Sequence, residues 1–189
     1  MEITIGSRII SPNHPTYFIA DIGANHDGSL ERAIQLIYLA KKAGADAAKF
    51  QNFQAPKIVS DYGFSHLGSQ QSHQSKWKKS VSEVYKDATV PFDWTPELKK
   101  ACDEVEIDYF SSPYDFEAID YLDKYMPAYK IGSGEIDWLE ALEKMASKGK
   151  PVLLATGAAN IGDVQKAVHT IRKLNQNNNY KIYIMKKNI

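Results

Sequence analysis

The feature that most constrains the fold of this 189-residue chain is a regular alternation of short apolar runs with segments of helical periodicity. An apolar run of four or five residues indicates a strand, and apolar residues at helical spacing indicate the helix that follows it. We predict six strands, at residues 17–21, 47–51, 107–111, 128–131, 152–155 and 181–185. Repeated strand–helix units predict an α/β fold with a parallel sheet and right-handed crossovers.

Local signals mark where the predicted elements begin and end. Two short apolar runs around Gly6 and Ser7 predict an N-terminal β-hairpin within residues 1–12. Ser29, Thr95 and Asn160 are predicted helix N-caps. Residues 52–94 are less regular, with one predicted helix near 74–85, and are interpreted as a long insertion after the second strand. Insertions of this length in compact domains are often functional.

Polar residues at the strand ends favour a barrel over a doubly wound sheet. No Gly-x-Gly-x-x-Gly motif follows the first strand, which argues against dinucleotide binding. Barrel enzymes build their active sites at the carboxyl ends of the strands. The polar residues found there are Asp21, Lys49 with Gln51, Ser111 with Ser112, Lys130 with Ser133, and Thr156. A full barrel takes about 250 residues. We therefore predict an incomplete (β/α)8 TIM-barrel-type domain across residues 1–189, with about five βα units plus a sixth strand.

Two lysines at strand ends indicate an anionic partner. Because side chains alternate faces along a strand, Lys49 and Gln51 point into the barrel if Phe50 packs on the helices. Lys130 holds a similar position at the end of the fourth strand. A buried ammonium needs a counter-ion, which is either a phosphate or carboxylate ligand or a barrel carboxylate such as Asp21 or Glu135. The sequence leaves both alternatives open.

Two loops carry further polar groups. Ser133, between two glycines, and the backbone amides around it suit an anion, although a plain tight turn explains the pattern equally well. After the first strand, Asp21 is a candidate acid or base, and Asn25 and His26 are candidates for contacts to a polyol. Ordinary loop and cap chemistry is the alternative for these residues.

Composition excludes several classes of protein. The formal net charge is zero, which argues against a general nucleic-acid binder. No apolar run approaches the roughly 20 residues of a membrane span, and no signal-peptide pattern begins the chain. A single cysteine fits a reducing compartment, so we expect a cytoplasmic location.

Five segments in register along the chain resemble the sialic acid (N-acetylneuraminate) synthase family. This family includes legionaminate and pseudaminate synthases and spore-coat polysaccharide enzymes. The similar segments are residues 18–28, 49–51, 111–114, 129–135 and 155–157. They end successive predicted strands, and the similarity extends over nearly the whole chain.

The resemblance implies condensation of phosphoenolpyruvate with the open-chain aldehyde of an N-acetylated amino sugar such as N-acetylmannosamine. Water attacks C2, phosphate leaves by C–O cleavage, and a nine-carbon 2-keto acid results. By resemblance, phosphoenolpyruvate is held by Lys49, Ser112, Lys130 and Ser133. Asp21 and Gln51 lie by the sugar and join Lys49 as catalytic residues.

The chain departs from the family pattern at several points. Asp21 stands where many members have glutamate, Ser112 where threonine is common, and Ala155 where some have a phosphate-contacting serine. The family's divalent metal, Mn or Mg, is held by two histidines from later strands, so we expect no metal ligands in this chain. We also expect the C-terminal antifreeze-like domain to be absent.

We therefore expect a truncated chain that is catalytically weak or inactive alone, and that forms a homodimer. One alternative is a non-catalytic remnant that binds phosphoenolpyruvate or a partner subunit. Another is a related barrel that makes a shorter keto acid from a sugar phosphate.

Overall fold

An antiparallel hairpin precedes six parallel strands in the computed structural model, which describes residues 2–66 and 77–174 and the backbone of 182–185. The hairpin consists of β1 (Ile3–Ile5) and β2 (Arg8–Ile10), as predicted. The parallel strands are β3 (Ile19–Gly23), β4 (Ala47–Asn52), β5 (Asp108–Pro113), β6 (Tyr129–Ile131), β7 (Val152–Ala155) and β8 (Ile182–Met185). The predicted α/β alternation is therefore confirmed.

The parallel strands form two hydrogen-bonded groups in chain order, β3-β4-β5 and β6-β7-β8. β5 and β6 lie side by side between the groups without a ladder. The register places Asp21 opposite Lys49, and Gln51 opposite Ser112. In-register parallel strands bring their carboxyl ends, and the polar residues that follow, to one edge.

The strands are connected by helices α1 (Leu30–Lys42), α2 (Ala55–Ile58), α3 (Asp61–His66), α4 (Val81–Asp87), α5 (Thr95–Glu104), α6 (Phe116–Leu122), α7 (Leu139–Ser147) and α8 (Ile161–Leu174). The predicted caps explain two of these boundaries. The Ser29 side chain accepts the Arg32 N–H at 3.2 Å and begins α1. The Asn160 side chain accepts the Asp163 N–H at 3.1 Å at the start of α8.

The insertion differs from its prediction. It contains α2, α3 and α4, whereas the sequence predicted one helix near 74–85. Residues 67–76 lie outside the described part of the chain, and 77–80 are not helical. α4 begins after Ser80 because Ser80 and Glu83 form a reciprocal capping box.

One predicted cap was wrong. Thr95 is the first residue of α5, not its N-cap, because a 3-10 turn over Phe92–Trp94 runs directly into the helix and places Trp94 at the cap position. The adjacent Pro96 still lies in the first turn, where its missing N–H has no intrahelical partner to lose.

Two apolar clusters occupy the two faces of the strands. The larger cluster, which includes Phe50 and Tyr109, lies between the strands and the helices. The smaller cluster fills the inner face near the amino ends of the strands. Its buried members are Ile3, Ile5, Ala47, Phe110, Ala128 and Leu153. We call this smaller cluster the apolar floor, since the hairpin contributes to it and closes that end of the strands.

No helix in the described ranges is both long and apolar enough to cross a membrane. Cys102, in α5, is fully buried, and burial raises the pKa of its thiol to about 12. The thiol therefore stays protonated near neutral pH, as expected of a packing residue.

Candidate functional site

Strand parity directs Lys49 and Gln51 into the interior, as the sequence predicted. Phe50 is fully buried on the helix side and stacks on Tyr109, with ring centroids 5.8 Å apart. Its neighbours in β4 therefore point the other way, above the apolar floor. Lys49 is only 6% exposed, which makes it a buried cation at the carboxyl end of the strand.

Asp21 supplies the counter-ion of Lys49. The Lys49 ammonium donates to Asp21 Oδ1 at 2.6 Å, and the two residues are register partners on β4 and β3. The Asp21 side chain is 65% exposed, so the carboxylate lies at the mouth of the interior and the ammonium beneath it. The sequence left open whether the partner of Lys49 is a ligand or a carboxylate of the protein. In the ligand-free protein, that partner is the carboxylate of Asp21.

Lys130 has no such partner. Within the described part of the chain, its half-buried ammonium makes no hydrogen bond and no ion pair within 4.0 Å. Burial, and next the positive charge of Lys49, lower the pKa of Lys130 from its ordinary value of 10.5. Asp21 and Glu135 act in the opposite direction but do not cancel the effect. Lys49 and Lys130 thus face a common space.

Ser112 adds an unsatisfied hydroxyl. It is 2% exposed, and its Oγ has no hydrogen-bond partner in the described ranges. The adjacent Ser111 faces the helices, where its hydroxyl donates to Asn52 Oδ1 at 2.6 Å. A buried hydroxyl without a partner is costly, so Ser112 is suited to contact a ligand.

The turn after β6 brings Ser133 and Glu135 to the same edge. Glu135 folds back over Gly132, so that a Cβ at Gly132 would lie 2.0 Å from Glu135 Oε2. A side chain at 132 would therefore displace the Glu135 carboxylate, whereas the backbone conformation at 132 does not itself call for glycine, since its φ is not positive. Burial raises the pKa of Glu135, and the charge of Lys130 partly offsets that effect. Ser133 is half-buried beside this carboxylate-bearing turn.

The loop after β3 packs His26 into the interior against Trp94. His26 is fully buried, its Nδ1 accepts the Gly28 N–H at 3.0 Å, and its ring meets Trp94 edge-on at 5.5 Å. Burial lowers the pKa of His26, which keeps the ring neutral. The other ring nitrogen, Nε2, is buried without a hydrogen-bond partner in the described ranges, and the sugar contact expected of His26 stays a prediction. Asn25 is exposed, and its amide donates to the Ile22 carbonyl at 2.9 Å.

Tyr114 is a member of the site that sequence reasoning missed. The Gln51 amide nitrogen donates to its hydroxyl at 3.4 Å. Burial, followed by the charges of Glu135, Tyr85 and Asp21, raises the pKa of Tyr114. A signal was present in the sequence, because Tyr114 directly follows Pro113 at a strand end, but β5 was predicted to stop at residue 111.

A divalent metal does not fit the described residues. Across residues 2–66 and 77–174, no group of three or more His, Cys, Asp or Glu side chains is arranged to hold a metal ion. We therefore assign no chemical step to a metal. Two ammonium groups, a free hydroxyl and two nearby carboxylates can instead bind a small anion and a neutral polar ligand side by side.

A separate cavity of about 310 Å³ lies at the opposite end of the strands. Its lining includes Ile5, Tyr17 and Leu153, which belong to or pack on the apolar floor. We call Lys49, Ser112, Lys130 and Ser133 the strand-end cluster. Its two lysines do not line this cavity, so the cavity is distinct from the candidate site.

Comparison with known proteins identifies sequence relatives. The sequence profile of the NeuB family matches residues 36–188. Human N-acetylneuraminate-9-phosphate synthase is 32% identical over 173 residues, which cover 90% of this chain and 47% of the human protein. Bacillus subtilis spore coat polysaccharide biosynthesis protein SpsE is 34% identical over 170 residues, covering 89% of this chain and 44% of SpsE. The chain spans about half the length of the curated relatives it matches.

Solved structures confirm the barrel-type fold. The N-acetylneuraminic acid synthetase of Leptospira borgpetersenii, solved with citrate, superposes with a TM-score of 0.83 at 25% identity, covering 98% of this chain and 59% of that chain. Bacillus subtilis SpsE superposes with a TM-score of 0.77 at 32% identity, and the match covers 98% of this chain and 48% of the SpsE chain.

Proposed function

Because this chain belongs to the NeuB family, we propose that its strand-end cluster binds phosphoenolpyruvate and takes part in sugar-acid synthesis. In this proposal Lys49, Lys130, Ser112 and Ser133 hold the anion. The whole of residues 1–189 then acts as one partial-barrel synthase domain, in which residues 52–94 are an insertion after the second parallel strand.

The observation that carries the proposal is the half-buried ammonium of Lys130, which has no ion-pair partner among the described residues and whose pKa is lowered by burial and by the charge of the buried Lys49. Asp21 pairs with Lys49, yet the charge of Lys49 still lowers the pKa of Lys130, so an anion that reaches both ammonium groups would stabilise their charged forms. Phosphoenolpyruvate carries both a phosphate and a carboxylate, so one molecule can satisfy both lysines. The free Ser112 hydroxyl supplies a further donor.

The reaction that we propose joins phosphoenolpyruvate to an N-acetylated amino sugar of the N-acetylmannosamine type. C3 of phosphoenolpyruvate forms a bond to the sugar aldehyde carbon, whose oxygen takes up a proton. Water adds at C2, the C2–O bond to phosphate breaks, and a nine-carbon 2-keto acid and phosphate are released. Asp21, exposed at the mouth, is the group we assign to proton transfer near the sugar, and Gln51 orients the sugar.

The proposal is tested first by binding. Isothermal titration of the 189-residue chain with phosphoenolpyruvate is expected to show one site per chain. Lys130→Met is expected to weaken binding by about tenfold or more, since it removes a charge-assisted hydrogen bond. Lys100→Met, which alters an exposed lysine on α5, is the matched control and is expected to bind normally.

Turnover separates the synthase from the alternative of a non-catalytic binding protein. Phosphate release is measured with phosphoenolpyruvate, N-acetylmannosamine and Mn²⁺ or Mg²⁺ supplied. Release supports the synthase, and binding without release supports the alternative. Absence of phosphoenolpyruvate binding, or equal binding by Lys130→Met and Lys100→Met, would overturn the site assignment.

A further inference from the structure

An aromatic row links the strand-end cluster to the insertion. The Tyr114 ring meets Phe53 edge-on at 5.9 Å, Phe53 packs on Tyr85 at 5.5 Å, and Tyr85 packs on Trp77 at 6.3 Å. Phe53 is 5% exposed and directly follows β4, so the row starts from a rigid position. The insertion therefore contacts the site through these rings.

The backbone fixes Tyr114 at the rim. Its N–H donates to the Asn52 carbonyl at 3.2 Å, which extends the pairing of β4 and β5 beyond the strand end. The next residue, Asp115, accepts the Ala118 N–H at 2.8 Å and begins α6. The backbone of Tyr114 is thus held between a strand and a capped helix.

The Tyr114 hydroxyl can donate a hydrogen bond to a ligand. It accepts from the Gln51 amide at 3.4 Å, and this leaves its own proton available. That bond is long, and hydrogen bonds in ligand-free sites often tighten only when a substrate is bound. The Gln51 amide oxygen, Oε1, lies 3.7 Å from a Cβ position at Gly23, and Asp21 Oδ1 lies 3.6 Å from the same point. The phenol, the amide and the carboxylate thus form one continuous polar edge.

The charges around Tyr114 indicate which ligand it suits. Burial, and next the charges of Glu135, Tyr85 and Asp21, raise the pKa of Tyr114, so its hydroxyl stays protonated near neutral pH. A phenol donor beside the Gln51 amide and the Asp21 carboxylate suits a neutral ligand that carries several hydroxyl groups. The lysines and Ser112 provide the opposite environment for the phosphoenolpyruvate.

We propose that Tyr114 is a substrate-positioning residue for the acceptor sugar, to which its hydroxyl donates a hydrogen bond while holding the Gln51 amide in orientation. This inference rests on the proposed function, because it assigns the neutral half of the same site. A role in packing alone would not need the hydroxyl, since phenylalanine presents the same ring to Phe53.

The test compares Tyr114→Phe with the wild-type 189-residue chain. Binding of N-acetylmannosamine is followed by saturation-transfer difference NMR with saturating phosphoenolpyruvate and EDTA present. We expect the sugar affinity of Tyr114→Phe to fall about fivefold, as for loss of one hydrogen bond. Phosphoenolpyruvate affinity, measured by titration, and the melting temperature are expected to stay unchanged. A residue important only for packing would not separate the two ligands in this way.

Tyr62→Phe is the matched control, because Tyr62 is 75% exposed on α3. It is expected to leave both affinities unchanged. If wild type binds phosphoenolpyruvate but not the sugar, or if Tyr114→Phe binds the sugar like wild type, the assignment of Tyr114 is overturned while the anion site stands. Failure of wild type to bind phosphoenolpyruvate would overturn the proposed function, and this inference with it.

Discussion

At the scale of single residues, the site depends on differences between chemically similar groups. Lys49 has a carboxylate partner at 2.6 Å, whereas Lys130 has only the weaker influence of Asp21 and Glu135 at longer range. Ser111 is satisfied by Asn52, whereas the hydroxyl of Ser112 is not. Lys130 and Ser112, which have no hydrogen-bond partner among the described residues, both face the interior above the apolar floor, where a ligand would supply one.

Lys130 is expected to make phosphoenolpyruvate binding sensitive to alkaline pH. Its pKa lies below 10.5 in the ligand-free protein, and a bound anion would favour the charged form. Binding then takes up a proton where Lys130 is partly neutral, so affinity falls as pH rises towards 10.5. Titrations between pH 7.5 and 10 measure this decline.

Lys130→Arg provides the comparison for the pH profile. A guanidinium stays charged throughout this range, so the decline is expected to be shallower, whatever the affinity of the variant at neutral pH. Identical slopes for wild type and Lys130→Arg would show that Lys130 does not titrate in the binding equilibrium.

At the scale of elements, a buried amide joins the strands to the insertion. Asn52 Oδ1 accepts from Ser111 at 2.6 Å and from the Tyr109 hydroxyl at 3.5 Å, and its Nδ2 donates to the Val90 carbonyl at 3.2 Å. All of these atoms are buried. One side chain thus ties β4 to β5 and also to the segment that follows α4.

Asn52→Ala is expected to lower the free energy of unfolding by about 2–3 kcal/mol, because it leaves several buried polar groups unpaired. Urea unfolding followed by circular dichroism measures the change. Asn13→Ala, at an exposed position, is the control and is expected to stay within about 0.5 kcal/mol of wild type. A loss of similar size for both variants would contradict the role of Asn52.

Long elements were predictable from the sequence because their periodicity repeats over several turns. α1 and α8 begin where Ser29 and Asn160 predicted, and the alternation in β4 placed Lys49 and Gln51 on the inner face. α2 and α3, of four and six residues, are too short for periodicity to reveal them.

The contacts of the site were harder to predict than its members. The way Glu135 folds over Gly132 depends on the three-dimensional path of a turn, which residue spacing does not encode. The burial of His26 results from packing against Trp94, which is far away in sequence. Polar type and strand-end position therefore identified candidates, but only tertiary packing decided which of them face the same space.

At the scale of the whole molecule, the described strands have two open edges. In the part of the chain that the structure describes, β3 pairs only with β4, and β8 pairs only with β7. Phe18, adjacent to β3, is 60% exposed. Unpaired edges next to exposed apolar groups recruit other chains.

The chain is expected to self-associate in a concentration-dependent manner in sedimentation velocity experiments. Phe18→Lys is expected to shift the distribution towards the monomer, since charge discourages edge pairing. Leu39→Lys removes a comparably exposed apolar residue on α1, at 58% exposure, and serves as control. A monomer at all concentrations, or equal effects of the two variants, would rule out association through this edge.

The apolar floor also governs how a charged molecule would reach the two lysines. With hydrocarbon below them, the electric field of the lysines is confined by a low-dielectric wall and is directed out through the opening at the strand ends. An approaching dianion is therefore steered from bulk solvent over a distance set by the Debye length, about 8 Å at physiological ionic strength. Added salt would then slow capture of the ligand far more than it would hasten escape.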